Sequence, residues 1–409
     1  MLDLKRNIYP HALRLLEQFP AVAIIGARQV GKTSLSKMIG QGFTYVDLER
    51  GSDYDRVSRD IDLFFKQNPT HIIFDEAQLY PEIFSALRGI IDANRQEKGR
   101  FIVTGSSSPE LLENISESLA GRIAIIELGT LKANELFKRP LSGFYELFKQ
   151  PLHQETFIID TPPLSFSDMQ QAWFHGGYPE PCLAHDETFY QEWMHNYETT
   201  YINRDIAYLF PKLDKVAFRR FIAMLGELSG KIINKSDLAR AINVTEPTIA
   251  KYKDIAAGTF IWRTLQSFET NVTKRIVKMP RGHIRDSGLL HYLLHIGNLT
   301  QLQNSTRAGF TFEAYVIEEI LKGLEDNRVP AEAFYYRTYN GAEIDLILQG
   351  SFGILPIEIK YGTRVNLRQL QSLNNFIVEQ KLPFGLLINQ SDHLEWLTEN
   401  ILQVPVGYL

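Results

Sequence analysis

Gly26, Gly31, Lys32 and Thr33 fall at the spacing G-x-x-x-x-G-K-T inside the stretch AVAIIGARQVGKTS, Ala21 to Ser34. These residue types at this spacing suit the cradling of phosphates. The glycines allow a tight turn whose backbone N–H groups, from Ala27, Arg28, Gln29 and Val30 through to Ser34, point inward around phosphate oxygens, with the positive end of a helix dipole behind them. Lys32 can reach β- and γ-phosphates, and the Thr33 hydroxyl can hold Mg²⁺. Asp75 and Glu76, which follow the apolar run His71 to Phe74, supply the complementary chemistry. One carboxylate would contact Mg²⁺, usually through water, and the other would polarise the attacking water. The set predicts binding and hydrolysis of ATP with Mg²⁺, with Lys32 and Glu76 as catalytic residues.

A second constellation lies near the other end of the chain. Asp345 in GAEIDLIL, Glu358 and Lys360 in LPIEIK, and Glu313 in GFTFE form a D…E-x-K pattern joined by a helix carboxylate. The two-residue period of a strand sets Glu358 and Lys360 on one face. The pattern resembles that of restriction-endonuclease-like nucleases. There Asp345, Glu358 and Glu313 would bind Mg²⁺, and Lys360 would position water and offset charge on the scissile phosphate. The same residues could hold a metal in a domain that only binds nucleic acid, or decorate two ordinary strands.

The elements that must carry the first site read as alternating strands and helices, which predicts a parallel sheet with crossover helices. An amphipathic helix, Leu4 to Phe19, leads in; its Lys5, Arg6 and Tyr9 either approach a nucleotide base or face solvent. Strands are expected at Ala21 to Ile25, Phe43 to Leu48, up to Asp75, Phe101 to Thr104 and Ile123 to Leu128. Acidic residues at the C-terminal ends of such strands sit where open α/β sheets bind ligands. After Thr104 come Gly105 and Ser106 to Ser108, hydroxyls that orient water beside a γ-phosphate or cap the helix Pro109 to Leu119. Arg122 then stands either as an arginine finger supplied in trans to a neighbouring subunit or as a surface arginine.

GARQVGKTS, IIFDEAQ, VTGSSS and SLAGR, in this order, resemble the AAA-type ATPases of bacteria and archaea that carry a C-terminal domain of unknown function. The resemblance continues through GGYPEP at Gly176 to Pro181, YINRDI at Tyr201 to Ile206 and RDSGLL at Arg285 to Leu290, and so covers nearly the whole chain. It implies nucleotide and Mg²⁺ on Lys32 and Thr33, a Walker B pair in Asp75 and Glu76, and a sensor position at Thr104 and Ser106. Arg122 becomes the finger candidate, the P-loop strand becomes central, and the chain assembles into rings or smaller oligomers. Arg204 is a candidate for sensing nucleotide from the helical side, or pairs with Asp205.

Between Leu131 and Ile206 the pattern is helical, interrupted at Thr161 to Leu164. NKSDLARAINVTEPTIAKYKDI then has helix-turn-helix spacing, with Leu238, Ala239, Val244, Ile249 and Tyr252 as the buried positions. Strands near Ile261 to Phe268 and Arg275 to Lys278 would complete a winged helix with a basic tip at Lys274, Arg275, Lys278 and Arg281. Such a tip binds phosphate backbone without reading sequence, or the module serves protein contact alone.

The 409 residues exceed one ordinary core and suggest an ATPase core at 1–130, a helical subdomain at 131–210, a winged helix at 211–300 and a nuclease-like α/β domain at 301–409. A net charge of −5 gives no global attraction for nucleic acid. The lone Cys182 excludes an internal disulfide and suits a reducing cytosol. With charges where a signal peptide needs its apolar core and no membrane-spanning run, the expectation is a cytoplasmic homo-oligomer without membrane contact, acting on DNA. The competing expectation is a nucleotide-dependent switch that recruits protein partners, with an inactive nuclease-like binding domain.

Overall fold

Ala21–Gly26 is buried at every position, as a parallel strand covered by helices on both faces must be. In the computed structural model, which describes residues 4–106, 115, 117–154, 162–206, 210, 213–269, 279–339 and 341–409, this strand belongs to a five-stranded sheet. Its members are β1 (Ala21–Gly26), β2 (Thr44–Asp47), β3 (Ile72–Asp75), β4 (Phe101–Ser106) and β5 (Ile123–Glu127). All pairings are parallel, in the order β2-β3-β4-β1-β5. The P-loop strand was expected at the centre; β4 holds that place, between the strands that deliver the P-loop and Asp75. Around the sheet are α1 (Tyr9–Gln18), α2 (Lys32–Ile39), α3 (Gly51–Ser58), α4 (Ile61–Gln67) and α5 (Glu82–Ala93). One face packs Ala23, Val46, Phe74 and Val103 against Val57, Phe64, Phe84 and Leu87. Each such side chain contributes about 1.5–3 kcal/mol by burial.

The chain divides into two compact units, 1–130 with 254–261, and 131–253 with 262–409. The strands after the helix-turn-helix share a sheet with the C-terminal region. That sheet has nine strands in the order β13-β14-β12-β11-β10-β9-β7-β8-β6. They are β6 (Lys231–Ile232), β7 (Trp262–Ser267), β8 (Arg281–Ile284), β9 (Ala331–Arg337), β10 (Glu343–Gly350), β11 (Gly353–Ile359), β12 (Gly385–Asn389), β13 (Glu395–Thr398) and β14 (Ile401–Pro405). β9, β10 and β11 run antiparallel in succession, and the helix Gln371–Gln380 connects β11 to its parallel neighbour β12. Ile344, Ile347, Leu373, Phe376 and Leu387 form the core beneath them.

The middle is helical as expected, with Phe166–His175, Pro179–Ala184, Glu187–Tyr197 and Lys215–Leu228. Lys235–Ile242 and Glu246–Gly258 follow, the first ending at Asn243 in the left-handed region, where asparagine is tolerated. Leu238, Ala239, Ile249 and Tyr252 are buried, whereas Val244 is half-buried. The strand expected at Arg275 to Lys278 lies outside the described residues; Arg281 opens the strand Arg281–Ile284 and so belongs to a sheet and not to a tip. Lys274, Arg275 and Lys278 lie outside the described residues, as do Ser107, Ser108 and most of the helix expected at 109–119. No helix among the described residues is long and apolar enough to cross a membrane.

Candidate nucleotide site and a buried carboxylate cluster

The P-loop leaves the C-terminal end of β1 at Gly26, where an added Cβ would lie 2.2 Å from the Leu128 carbonyl oxygen. Gly26 is thus required by close backbone approach, and Gly31, at φ +96°, by its left-handed conformation. The loop then enters α2, whose first residues are Lys32 and Thr33. Lys32 is buried, and its Nζ donates to the carbonyls of Gly26 at 3.1 Å and Ala27 at 2.8 Å. Burial pushes the Lys32 ammonium below its ordinary value, with Glu76 and Asp75 opposing. Arg28 faces Glu49 at 3.9 Å.

Asp75 closes β3 with only 4% of its surface exposed, and three hydroxyls converge on its carboxylate. Thr33 Oγ1 donates to Oδ2 at 2.8 Å, Tyr45 Oη donates to the same oxygen at 2.5 Å, and Thr104 Oγ1 donates to Oδ1. The parallel register places Tyr45 on β2 beside Ile73, and Thr104 on β4 beside Ile24. A hydroxyl and a carboxylate in direct contact at a sheet's C-terminal edge are hard oxygen donors of the kind Mg²⁺ takes alongside phosphate and water, so this pair fits the ion. Glu76 follows in the left-handed region at φ +54°, and Gln78 Nε2 donates to its Oε2 at 2.5 Å. Ser106 closes β4, but its side chain lies outside the described set, as does that of Arg204.

Tyr45 was invisible to motif reasoning; the only signal was a polar ring in a β-strand one turn of sheet away from an acidic strand end. Burial first, then the bond to Asp75, push its phenol up, which keeps it a neutral donor. Lys37 Nζ sits 3.7 Å from the centre of its ring. Tyr45→Phe should lower kcat for ATP hydrolysis by roughly three- to ten-fold and raise the Mg²⁺ requirement, the loss of one of three hydrogen bonds that hold Asp75, worth about 0.5–1.5 kcal/mol net; a Mg²⁺ titration of phosphate release reads it.

From the sequence, Arg6 either approaches a nucleotide base or faces solvent. It instead donates to backbone carbonyls, Val30 at 2.9 Å and Gly129 at 2.8 Å, and so pins the leading segment to the P-loop. Arg122 forms a bidentate pair with Asp92, at 2.7 and 2.8 Å, within its own chain.

In the second unit the D…E-x-K residues do come together. β10 and β11 pair with Leu346 opposite Ile357, which brings Asp345 and Glu358 side by side. A bulge in β10 between Ile344 and Ile347 brackets Asp345, and bulges re-aim side chains. The Ile359 N–H donates to Asp345 Oδ2 at 2.8 Å, and Lys360 Nζ donates to Glu358 Oε1 at 2.5 Å. Glu313, from the helix Ala308–Asp326, meets Arg281, which also lies 3.5 Å from Asp345. Burial, then Asp345, push Glu358 up to about 8, and the same two causes raise Glu313 well above the ordinary range, against the pull of Arg281 and Lys360.

This arrangement corrects two expectations. Arg281 is not on a solvent-facing basic tip; it is 12% exposed and paired to carboxylates. Glu313, Asp345 and Glu358 do not fit a divalent cation as they stand, because Arg281 and Lys360 are already placed against them. No group of three His, Cys, Asp or Glu among the described residues is placed to hold a metal.

A third charged centre had no sequence signal. Glu318 is 3% exposed and receives Arg263, Arg285 at 3.4 Å and His283 at 2.9 Å. The segments GGYPEP and RDSGLL also meet: Asp286 accepts from the Gly177 and Leu289 N–H groups, each at 2.9 Å. Cys182 is buried, which pushes its thiol up and suits packing rather than nucleophilic work.

Residues 18–137 match the family model of an AAA domain. The first unit carries an AAA-type P-loop ATPase domain. Residues 166–300 and 308–409 match two further models, each described as a domain of unknown function, DUF8612 and DUF4143. Along 411 aligned residues the chain is 28% identical to an uncharacterized protein of Mycobacterium tuberculosis and to one of Mycobacterium bovis, covering 100% of this chain and 85% of each relative. Among solved structures it is similar to the Walker-type ATPase of Pyrococcus abyssi, 16% identical with a TM-score of 0.42 over 72% of this chain and 96% of that one. It is also similar to the Thermotoga maritima RuvB Holliday junction branch migration motor, 14% identical with a TM-score of 0.32 over 64% of this chain and 89% of that one.

Proposed function

We propose that the AAA domain hydrolyses ATP and that the second unit couples this to nucleic acid. The observation that carries the first half is the contact of Thr33 with Asp75 at 2.8 Å, with Glu76 next in the chain. Lys32 exchanges the carbonyls of Gly26 and Ala27 for the β- and γ-phosphates, which restores the charge that burial disfavours. Thr33 and Asp75 hold Mg²⁺, with Tyr45 and Thr104 fixing the carboxylate. When bound there, the ion would offset charge on the phosphates. Glu76 polarises the attacking water, and Thr104 and Ser106 flank it from β4. Arg122 serves a neighbouring copy in a homo-oligomer once its pair with Asp92 opens.

For the second unit, convergence of Asp345, Glu358 and Lys360 on adjacent strands supports a nuclease-like domain that acts on DNA. The pairing of Arg281 with Glu313 and Asp345 favours a second reading, a nucleotide-dependent switch whose C-terminal domain binds without cutting.

Labelled single-stranded, duplex and branched DNA, titrated with the full chain with and without ATP, separates the two. Binding that weakens steeply as salt rises is expected of a protein that neutralises phosphates. Absence of binding at low salt, with ATP hydrolysis intact, overturns the nucleic-acid half and leaves the protein-recruiting switch. Cleavage abolished by Asp345→Ala establishes a nuclease.

A further inference from the structure

At Leu265 the strand β7 changes partner: it pairs with β8 from Trp262 to Leu265, and with β9 at Gln266 and Ser267. A cavity of about 190 Å³ opens where the two pairings meet, lined by Lys231 and Arg281 from β6 and β8 and by Tyr336, Arg337 and Glu343 from β9 and β10. Three of these side chains are cations and one is an acid. Arg281 is held by Glu313, Asp345 and the Gly230 carbonyl, so it is a fixed part of the wall. Arg337 meets Glu343 at 2.9 Å, with 48% and 47% of the two side chains exposed, and a pair so open to water holds its members weakly. Lys231 is exposed and has no ion-pair partner among the described residues. Two residues beyond Arg337, Tyr339 is fully exposed in the turn that the Thr338 N–H closes on the Ala342 carbonyl, so its ring adds nothing to the core.

We propose, on the reading that the second unit engages nucleic acid, that this cavity is a phosphate subsite for a single strand: Lys231 and Arg337 close on a backbone phosphodiester, and Tyr339 stacks against a neighbouring base. Pockets for organic ligands run to about 300–1,000 Å³ and are mostly apolar, so a smaller space with charged walls suits a compact anion. A guanidinium and an ammonium give such an anion charge-assisted hydrogen bonds, and the planar fork of Arg337 matches a phosphate as well as it matches Glu343. Arg337 therefore exchanges one exposed acceptor for another, Glu343 turns to water, and Lys231 gains a partner. An open aromatic ring beside a cationic groove is how single strands are bound without regard to sequence. Binding needs no metal ion and no movement of Arg281. The two walls come from the regions matched at 166–300 and 308–409, so neither region alone holds the subsite.

The full chain, without nucleotide, is titrated into fluorescein-labelled oligothymidylate and into a duplex of equal length, and anisotropy is followed over a range of chloride concentrations. The double variant Lys231→Gln with Arg337→Gln should lower the slope of log affinity against log salt by about 1.4 for the strand, roughly 0.7 for each charge removed, and weaken binding roughly ten-fold at about 0.15 M salt. Lys231→Arg with Arg337→Lys should keep the slope. Tyr339→Ser should weaken the strand roughly five-fold or more, leave the duplex alone and leave the slope unchanged. An unchanged slope in the double variant, with wild type binding the strand, would overturn the subsite while the nucleic-acid reading stands. Failure of wild type to bind strand or duplex at low salt would overturn both. Inorganic phosphate, added at ionic strength matched with chloride, should displace the strand no better than chloride does; displacement specific to phosphate in wild type and absent from the double variant would give the pocket to free phosphate and overturn the strand assignment. Circular dichroism checks folding; if the double variant fails, Lys231→Gln alone takes its place, with an expected fall in slope of about 0.7.

Discussion

Glu76→Gln should leave ATP bound and slow its hydrolysis by about 10²–10⁴-fold, the usual worth of a positioned general base. The glutamine matches the glutamate in volume and can keep the contact with Gln78, so the backbone at φ +54° has no new reason to move. What it loses is the ability to take a proton from water. Holding a non-glycine residue in this conformation costs about 1–2 kcal/mol. Retained binding of a fluorescent ATP analogue with lost phosphate release is the expected pair of readings. Unchanged hydrolysis would place the base elsewhere; loss of binding would mean that Glu76 supports the loop rather than the water.

Glu318→Gln should destabilise the second unit by about 3–5 kcal/mol, because it removes the charge of a buried carboxylate that Arg263, Arg285 and His283 all meet. Burial works to raise the Glu318 carboxyl, but Arg263 and Arg285, with the bond from His283, hold it well below the ordinary carboxylate range. A depressed folded pKa contributes stability that is present above the unfolded value of about 4.3 and is lost as pH falls toward the folded one. Wild type should therefore lose stability on acidification below that value, and the glutamine variant should show a shallower slope there. All four tryptophans, Trp173, Trp193, Trp262 and Trp396, lie in the second unit, so the midpoint of urea unfolding followed by their fluorescence reports this unit. An unchanged midpoint would mean that the cluster is hydrated rather than buried.

These two sites also show how far residues alone lead. Lys32, Thr33, Asp75 and Glu76 were legible because each lies in a short run whose spacing is fixed by the phosphate chain or by one strand end. Asp345, Glu358 and Lys360 were legible for the same reason, since two successive strands with a two-residue period leave few ways to arrange them. Tyr45 and Arg281 were not. Tyr45 reaches Asp75 only through the pairing of β2 with β3, across 30 residues of sequence. Arg281 lies in a basic run that suggested a solvated tip, and only the antiparallel pairing of β8 with β7 draws it under the sheet. Glu318 and Glu319 stand in an otherwise ordinary helical pattern, where adjacent acids suggest solvent; both are buried because cations arrive from elsewhere. The strand order failed by one position because which strand takes the middle of a sheet is settled by crossovers, not by hydrophobicity.

The helix Ala308–Asp326 presents Glu313, Glu318 and Glu319 in different directions, and each is met by another stretch of chain: Arg281, then Arg263 with His283 and Arg285, then Lys132 at 3.2 Å. The match at 308–409 thus marks a region of recognisable sequence that is not a detachable module. Cutting the chain near residue 300 would separate these acids from their partners and leave three of them exposed on an apolar helix. Exchange of this region between proteins would have to carry its partners, from Lys132 to Arg285, along with it.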